Sequence, residues 1–295
     1  MTRCGYAALI GRPNVGKSTL LNRMLGEKVA ITSRKPQTTR HQLVGIHTDG
    51  EVQTLFVDTP GLHRAEKRAL NRYMNRTANA AVRDVDVAVM LVDRTAWNHN
   101  DELAFEALER CPNHKIVVIN KVDLLKDKAT MLPVISSLAE RCPGLEVVPV
   151  SALGGQQVDD LIRLIQSHMP ESPFYFPVDQ LTDRSERFLV SEMIREKLMR
   201  RLGQELPYEL TIQIESFKRE EDIVHIDAAI LVEKVSQRGI VLGKGGQRIR
   251  DVGTDARVDM EKLLGTKVML KLWVKVKSGW SDDERALRSL GYDDA

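Results

Sequence analysis

This 295-residue sequence predicts two folded units in tandem: an α/β domain around a mixed, mostly parallel sheet, then a smaller α+β domain. Three observations carry that expectation. Short β-rich runs alternate with helical patterns from Ala7 to about His168, which reads as βα units. Pro170, Pro173 and Pro177 then fall in a stretch without helical periodicity, which marks a linker. Beyond it the pattern restarts as helix, strand, strand, helix, helix, strand. The length agrees, since domains cluster near about 100 to 200 residues. The expected division is residues 1–170, a linker over 171–182, and residues 183–295.

Composition narrows the class. With 43 Lys plus Arg against 41 Asp plus Glu the chain is nearly neutral, so affinity for a polyanion requires a local cluster. Cys4, Cys111 and Cys142 lack the paired spacing of a zinc or redox motif, which fits a reducing cytosol. There is no signal-like start and no apolar run of membrane-spanning length, so a soluble protein is expected.

Strands are expected near Tyr6 to Ile10, Gln42 to His47, Val52 to Val57, Val85 to Val92, Lys115 to Ile119 and Glu146 to Val150. Asp49 and Gly50 supply a hairpin signal between the second and third, which makes that edge pair antiparallel and the sheet mixed. After the linker, a helix over about Asp183 to Leu202 precedes two strands of period two. Leu210, Ile212 and Ile214 share one face of the first, and Val224, Ile226, Ala228 and Ile230 one face of the second. Helical stretches at Arg238 to Leu242 and Gln247 to Leu264 lead to a strand whose Val268, Leu270, Leu272, Val274 and Val276 face inward. Ser281 to Leu290 reads as a capped terminal helix with Asp282, Asp283 and Glu284 in its first turn.

The chemistry lies at the strand ends. Gly11, Arg12, Pro13, Asn14, Val15, Gly16, Lys17 and Ser18 follow the first strand and open a helix from Thr19 to Leu25, the context of a phosphate-binding loop. Gly11 and Gly16 permit backbone angles that turn successive N–H groups toward phosphates at the helix's positive end. Lys17 adds charge at the β and γ phosphates, and the Ser18 hydroxyl is placed to ligate Mg²⁺. This loop alone does not separate ATP from GTP. Asp58, Thr59, Pro60 and Gly61 end the third strand, offering a carboxylate to Mg²⁺ and a glycine N–H to the γ-phosphate. Asn120, Lys121 and Asp123 follow the fifth. A carboxylate at Asp123 accepts the N1 and amino protons of guanine, and adenine offers neither in that arrangement. Ser151, Ala152 and Leu153 follow the sixth strand, with the Ala152 N–H directed at the guanine carbonyl. A phosphate-loop kinase or ATPase is the rival from another class, and Asp123 argues against it. A protein that binds nucleotide without turning it over is a second.

With these motifs in order, residues 5 to 168 resemble a translation-factor-type GTPase domain, and the chain is most similar to the Era family of ribosome-assembly GTPases. The likeness implies a P-loop GTPase domain that hydrolyses GTP to GDP with Mg²⁺. It also implies that Gln37, Thr38, Thr39, Arg40 and His41 form the effector loop, with Thr39 favoured over Thr38 as the threonine that ligates Mg²⁺. Lys17, Thr39, Asp58 and Gly61 are then the catalytic set. Leu62 stands where Ras-type enzymes have a water-orienting glutamine, and an aliphatic side chain cannot take that part. Hydrolysis is therefore expected to be slow and to rely on backbone and metal. Asn14 resembles the loop asparagine that binds potassium in related GTPases, which makes K⁺ a candidate cofactor. His63 reads as an exposed switch residue rather than a catalytic substitute.

In the second unit Gly243, Lys244, Gly245 and Gly246 lie between two helical patterns. The element order resembles a type II KH domain, in which such a loop clamps a single strand of RNA. From Lys234 to Lys277 eleven Lys or Arg face four acids, a local net of plus seven. Lys244, Arg248 and Arg250 surround the loop, and with Gly243, Gly245 and Gly246 they are the candidate RNA contacts. Lys267, Lys271, Lys275 and Lys277 line the outer face of the last strand, where lysines also protect an edge. Ile240, Val241 and Ile249 read as groove or core residues, with core favoured for each, and packing is the expected role of Trp273 and Trp280. The two units together read as a nucleotide-operated RNA-binding switch in which Mg²⁺ and GTP order residues 33–42 and 58–70. The family likeness implies 16S ribosomal RNA near its 3′ end and the 30S subunit as partners, and a cytoplasmic protein peripheral to the inner membrane.

Overall fold

The computed structural model describes residues 1–62, 68–94, 97–125, 131–203, 209–290 and 292. They form two compact units divided between Asp183 and Arg184; Ser33–Thr38 and the described part of Lys67–Leu70 group with the second. His63, and with it part of the expected switch at 58–70, lies outside the described residues.

In the first unit the strands are β1 (Arg3–Ile10), β2 (Leu43–Asp49), β3 (Val52–Asp58), β4 (Val87–Asp93), β5 (His114–Asn120) and β6 (Glu146–Pro149), in the spatial order β2-β3-β1-β4-β5-β6. Only β2 and β3 run antiparallel, joined through Gly50 at φ 55°, as the hairpin signal predicts. The helices between them are α1 (Lys17–Leu25), α2 (Ala69–Ala80), α3 (His99–Glu109) and α4 (Met131–Arg141), and α5 (Val158–Ser167) follows β6. The central strands are apolar on both faces, Val87–Val92 being buried throughout. Helices pack on both sides of a parallel sheet, so neither face can be polar. Full burial of each such Val, Leu or Ile contributes about 1.5–3 kcal/mol.

The segment expected as a linker lies against this unit. Gln53, fully buried in β3, accepts the Tyr175 and Phe176 N–H groups at 3.0 Å each through Oε1 and donates Nε2 to the Phe176 carbonyl at 2.9 Å. Farther along, Ile46 N donates to Leu181 O at 2.9 Å, and Asp183 Oδ1 accepts from Val44 N at 3.0 Å. Asp183 is thus used on the free edge of β2, and the next helix starts later than the sequence suggests. That helix, α6 (Glu186–Arg201), is capped by Ser185, whose Oγ accepts from Phe188 N at 3.3 Å.

The second unit continues with β7 (Leu210–Glu220), β8 (Ile223–Val232), α7 (Val235–Leu242), α8 (Gln247–Leu264), β9 (Lys267–Val276) and α9 (Glu284–Ser289). Its sheet order is β7-β8-β9, antiparallel then parallel. The alternating residues named above form its core with Val190, Ile194 and Leu198 of α6 and Val252, Ala256 and Met260 of α8. Val276 departs from that pattern and is exposed at the strand end. Asp283 caps α9, its Oδ1 accepting from Arg285 N at 2.8 Å. Trp280 is fully buried, as expected. Trp273 instead lies half-buried on the opposite face from Val274, with Lys275 Nζ 5.8 Å from its ring centre.

Candidate functional site

The strand order brings the C-terminal ends of β1, β3 and β5 and the loop after β6 to one rim, where each expected motif emerges. β1 and β3 pair through Leu9 and Asp58, and β4 and β5 through Asp93 and Asn120. Ligands in open α/β sheets bind at this rim.

At the phosphate loop, α1 begins with Gly16 at φ 105° and ψ 23°, a conformation that a side chain rarely adopts. A Cβ on Gly16 would fall 2.3 Å from Asn120 Nδ2, and one on Gly61 2.7 Å from Pro13 N. Gly11 has φ 149° and passes the Leu91 carbonyl. Lys17 is buried and donates Nζ to Gly11 O at 3.0 Å and Arg12 O at 3.3 Å. Burial lowers its pKa to about 8, an effect that Asp58 offsets in part. Asp58 is fully buried, which raises its pKa despite Lys17, Ser18 and Thr39 beside it. Both groups are thus held where their charged forms are costly and an opposite charge would stabilise them.

Ser18 Oγ donates to Asp58 Oδ2 at 2.7 Å and lies 2.7 Å from Thr39 Oγ1, which is itself 3.3 Å from Asp58 Oδ2. Asp58 Oδ1 is buried without a hydrogen-bond partner. Three converging hard oxygens and one unused carboxylate oxygen make a donor set that suits Mg²⁺. Thr38 points elsewhere: its Oγ1 meets Ser33 Oγ at 2.8 Å and Lys35 O at 2.7 Å. Of the two threonines, Thr39 is therefore the one beside Ser18 and Asp58. Thr59 and Pro60 are buried, and Thr59 Oγ1 donates to Leu9 O at 2.8 Å, which fixes the turn after β3. Leu62 is in the apolar core, its N–H donating to Gly11 O at 3.3 Å.

The base-recognition residues form one hydrogen-bonded group. Asn120, 1% exposed, donates Nδ2 to Val15 O at 2.8 Å and accepts with Oδ1 from Lys121 N at 2.7 Å and Ala152 N at 3.0 Å. One side chain so ties the phosphate loop to both base loops. The Ala152 N–H, expected to face the guanine carbonyl, is here engaged by Asn120. Lys121 takes φ 66° and donates Nζ to Asn14 O and Asp93 Oδ2, each at 2.7 Å. Asp123 is exposed, and Ser151 Oγ donates to its Oδ1 at 2.5 Å. Leu153 is 72% exposed.

Sequence reasoning missed three partners. Asp93 holds Lys121. Asp101, buried, accepts Arg12 Nε at 3.0 Å while also capping α3 by accepting from Asn98 N at 3.0 Å. Arg23 reaches the Ala152 loop. The Asn98 and Asp101 capping spacing is visible in the sequence, but its link to Arg12 is not.

In the second unit the glycine loop is a short 3-10 turn, Lys244–Gly246, between α7 and α8. Gly243, Gly245 and Gly246 have φ 72°, 58° and 75°, so the loop needs glycine. Lys244 is exposed. Arg248 and Arg250 brace the loop, donating to Ile240 O and to Gly245 O respectively. Val241 is buried and Ile249 packs on the core, but Ile240 is 47% exposed, which corrects its assignment to the core. α7 is a single two-turn helix packed on one face, and Ile240 lies one residue off that face. Between α8 and β9, a groove of about 250 Å³ is lined by Ile249, Leu270 and Leu272 with Arg250 and Arg257.

Comparison with known proteins agrees with this arrangement. The family described as 50S ribosome-binding GTPase matches residues 6–121, and the KH domain family matches residues 205–281. GTPase Era of Pseudomonas putida (strain W619) is 57% identical over 293 residues, covering 99% of this chain and 98% of that protein. GTPase Era of Pseudomonas aeruginosa (strain LESB58) is 57% identical over 99% of this chain and 96% of that protein. Among solved structures, a single-substitution variant of Aquifex aeolicus Era bound to GDP·AlF4⁻ superposes with a TM-score of 0.95 at 36% identity, covering 99% of both chains. Era in complex with MgGDPNP and nucleotides 1506–1542 of 16S ribosomal RNA gives 0.96 at 36% identity over the same shares. Matched from end to end at this identity, with both component families in sequence, the chain belongs to the Era family of GTPases.

Proposed function

We propose that this protein is a GTP-operated switch that binds 16S ribosomal RNA near its 3′ end and acts in assembly of the 30S subunit. The observation that carries the nucleotide half is the Asn120 side chain, which joins Val15 to Ala152 and Lys121 and so couples base recognition to the phosphate loop. The residues proposed to bind nucleotide are Gly11 to Thr19, Asp58 to Leu62, Asn120, Lys121, Asp123, and Ser151 to Leu153. Ser18, Thr39 and Asp58 are proposed to hold Mg²⁺, which when bound neutralises charge on the β and γ phosphates. Lys17 supplies a second positive charge, and Gly61 a backbone N–H. With Leu62 in the core, no side chain at that position orients water, so hydrolysis rests on preorganised backbone and charge. K⁺ near Asn14 belongs to the same proposal, and equal rates in potassium and sodium buffers would count against it.

The RNA half is supported by the glycine loop, by Lys244, Arg248 and Arg250 around it, and by the RNA held in the related Era complex. Residues 1–170 are proposed as the GTPase domain, 171–182 as the connection and 183–295 as the KH-like domain. A cytoplasmic protein peripheral to the inner membrane is part of the proposal and comes from family likeness alone. The test is binding of a 3′ small-subunit RNA fragment by the full chain with GDP, with a non-hydrolysable GTP analogue, and with ATP. The reading expects tighter RNA binding with the GTP analogue than with GDP, and no effect of ATP. RNA affinity independent of nucleotide would refute the switch.

A further inference from the structure

The last turn of α1 carries a cation that neither phosphate nor base recognition has so far used. Arg23 donates Nε to the Ala152 carbonyl at 3.2 Å and Nη2 to the Leu153 carbonyl. These are consecutive carbonyls of the loop whose Ala152 N–H is assigned to the base. On the inner side the loop is tied to the base motif, Ala152 N donating to Asn120 Oδ1 at 3.0 Å and Ser151 Oγ to Asp123 Oδ1 at 2.5 Å, and elsewhere it closes upon itself: Ser151 N donates to Gln156 O at 3.1 Å, Gly155 N to Ser151 O at 2.7 Å, and Gly154 N to Ser151 Oγ at 2.9 Å. Ala152 is buried, but Leu153 is 72% exposed and contributes no packing anchor. Where the chain turns back, Gly155 has φ +80°, and a Cβ there would lie 3.6 Å from the Arg23 guanidinium carbon. The guanidinium therefore supplies the outer anchor of this loop. A planar fork that holds two successive carbonyls fixes the backbone angles at Leu153 and the peptide plane on the carbonyl side of Ala152, so that with Asn120 Oδ1 on its N–H side Ala152 is held from both ends.

We infer that Arg23 is a positioning residue for base selection. Asn120 holds the N–H side of Ala152 and Arg23 its carbonyl side, so the helix that starts at the phosphate loop sets, through this arginine, how far the Ala152 backbone stands from the six-position carbonyl of the purine. A tie from α1 to Ala152 and Leu153 also makes the base loop follow the phosphate loop when either moves. The inference rests on the proposed assignment of Ala152 to the base site.

The test uses the full chain and two probes, GDP and 6-thio-GDP. The sulfur analogue keeps the protons offered to Asp123 but replaces the carbonyl oxygen by a weak acceptor. The wild type is expected to prefer GDP by about tenfold, the worth of one well-placed hydrogen bond. In Arg23→Ala that preference falls to about twofold through loss of GDP affinity, while 6-thio-GDP binding changes by less than about twofold. Arg23→Lys, with a single point of donation, recovers part of the preference. A general structural role would weaken both nucleotides equally, and that result, or an unchanged preference in Arg23→Ala, overturns the inference. Wild-type protein that binds both probes equally overturns the assignment of Ala152 itself, and the role of Arg23 with it. Because wild type is measured first, the two failures are distinguishable.

Discussion

Adding one methyl group at Gly16 tests the central geometry of the site. Gly16 has φ 105°, which costs an alanine about 1–2 kcal/mol. The new Cβ would lie 2.3 Å from Asn120 Nδ2. Such a clash is cheap against a mobile side chain, but Asn120 is 1% exposed and held by Val15 O, Lys121 N and Ala152 N. Displacing it forfeits three hydrogen bonds of about 1 kcal/mol each. Gly16→Ala should therefore cost about 4–5 kcal/mol, a large share of the roughly 5–15 kcal/mol of a typical domain. Asn120→Ala removes the same bonds without the clash and should cost about 3 kcal/mol. The double variant should cost little more than Gly16→Ala alone, because the methyl then has room. The assay is urea denaturation of all four proteins as a double-mutant cycle, with a coupling of about 3 kcal/mol expected. Additivity within about 0.5 kcal/mol, or a Gly16→Ala cost below about 1 kcal/mol, refutes the packing of Gly16 against Asn120.

Three further outcomes are expected from the same structure. Thr39→Ala should raise the Mg²⁺ concentration needed for half-maximal GTP hydrolysis by about tenfold or more, and Thr38→Ala by less than about twofold, in a metal titration of initial rates. Burial holds the His47 imidazole below its ordinary range, with Asp49 opposing in part. The folded state then keeps the neutral ring where the unfolded chain already takes up a proton, so stability present above pH 6.5 is lost as pH falls below it. Denaturation at about pH 7.5 and about pH 5.5 should show a larger acid loss in wild type than in His47→Gln. Gln53→Leu leaves the Tyr175 and Phe176 N–H groups without their acceptor. It should cost about 2–4 kcal/mol in chemical denaturation and speed hydrogen exchange at 174–176.

Much of this protein can be read locally. A period of two or 3.6 depends only on which face of a strand or helix is buried, so the strands, and the five helices whose ends the sequence marks, are legible within a few residues, whereas α2 to α5 are legible only as helical patterns between strands. The order of the phosphate-loop, Asp58 and Asp123 motifs is likewise a local matter, since each sits where a strand stops. The sequence could also say that Leu62 is not a glutamine, because that statement concerns a single residue. What it could not say concerns pairs far apart in the chain. Asn120 beside Gly16, Arg23 on the Ala152 loop, Arg12 on Asp101 and Gln53 under Tyr175 exist only because the order β2-β3-β1-β4-β5-β6 sets those segments side by side. Whether Thr38 or Thr39 stands next to Ser18 is decided in the same way, by the path the chain takes into β2. Ile240 shows the converse, an apolar residue that lies off the packed face of its short helix and stays in solvent. Hydrophobic pattern is a one-body property of a residue and its face, whereas hydrogen bonds and clashes are two-body properties that require the tertiary fold to bring both partners together.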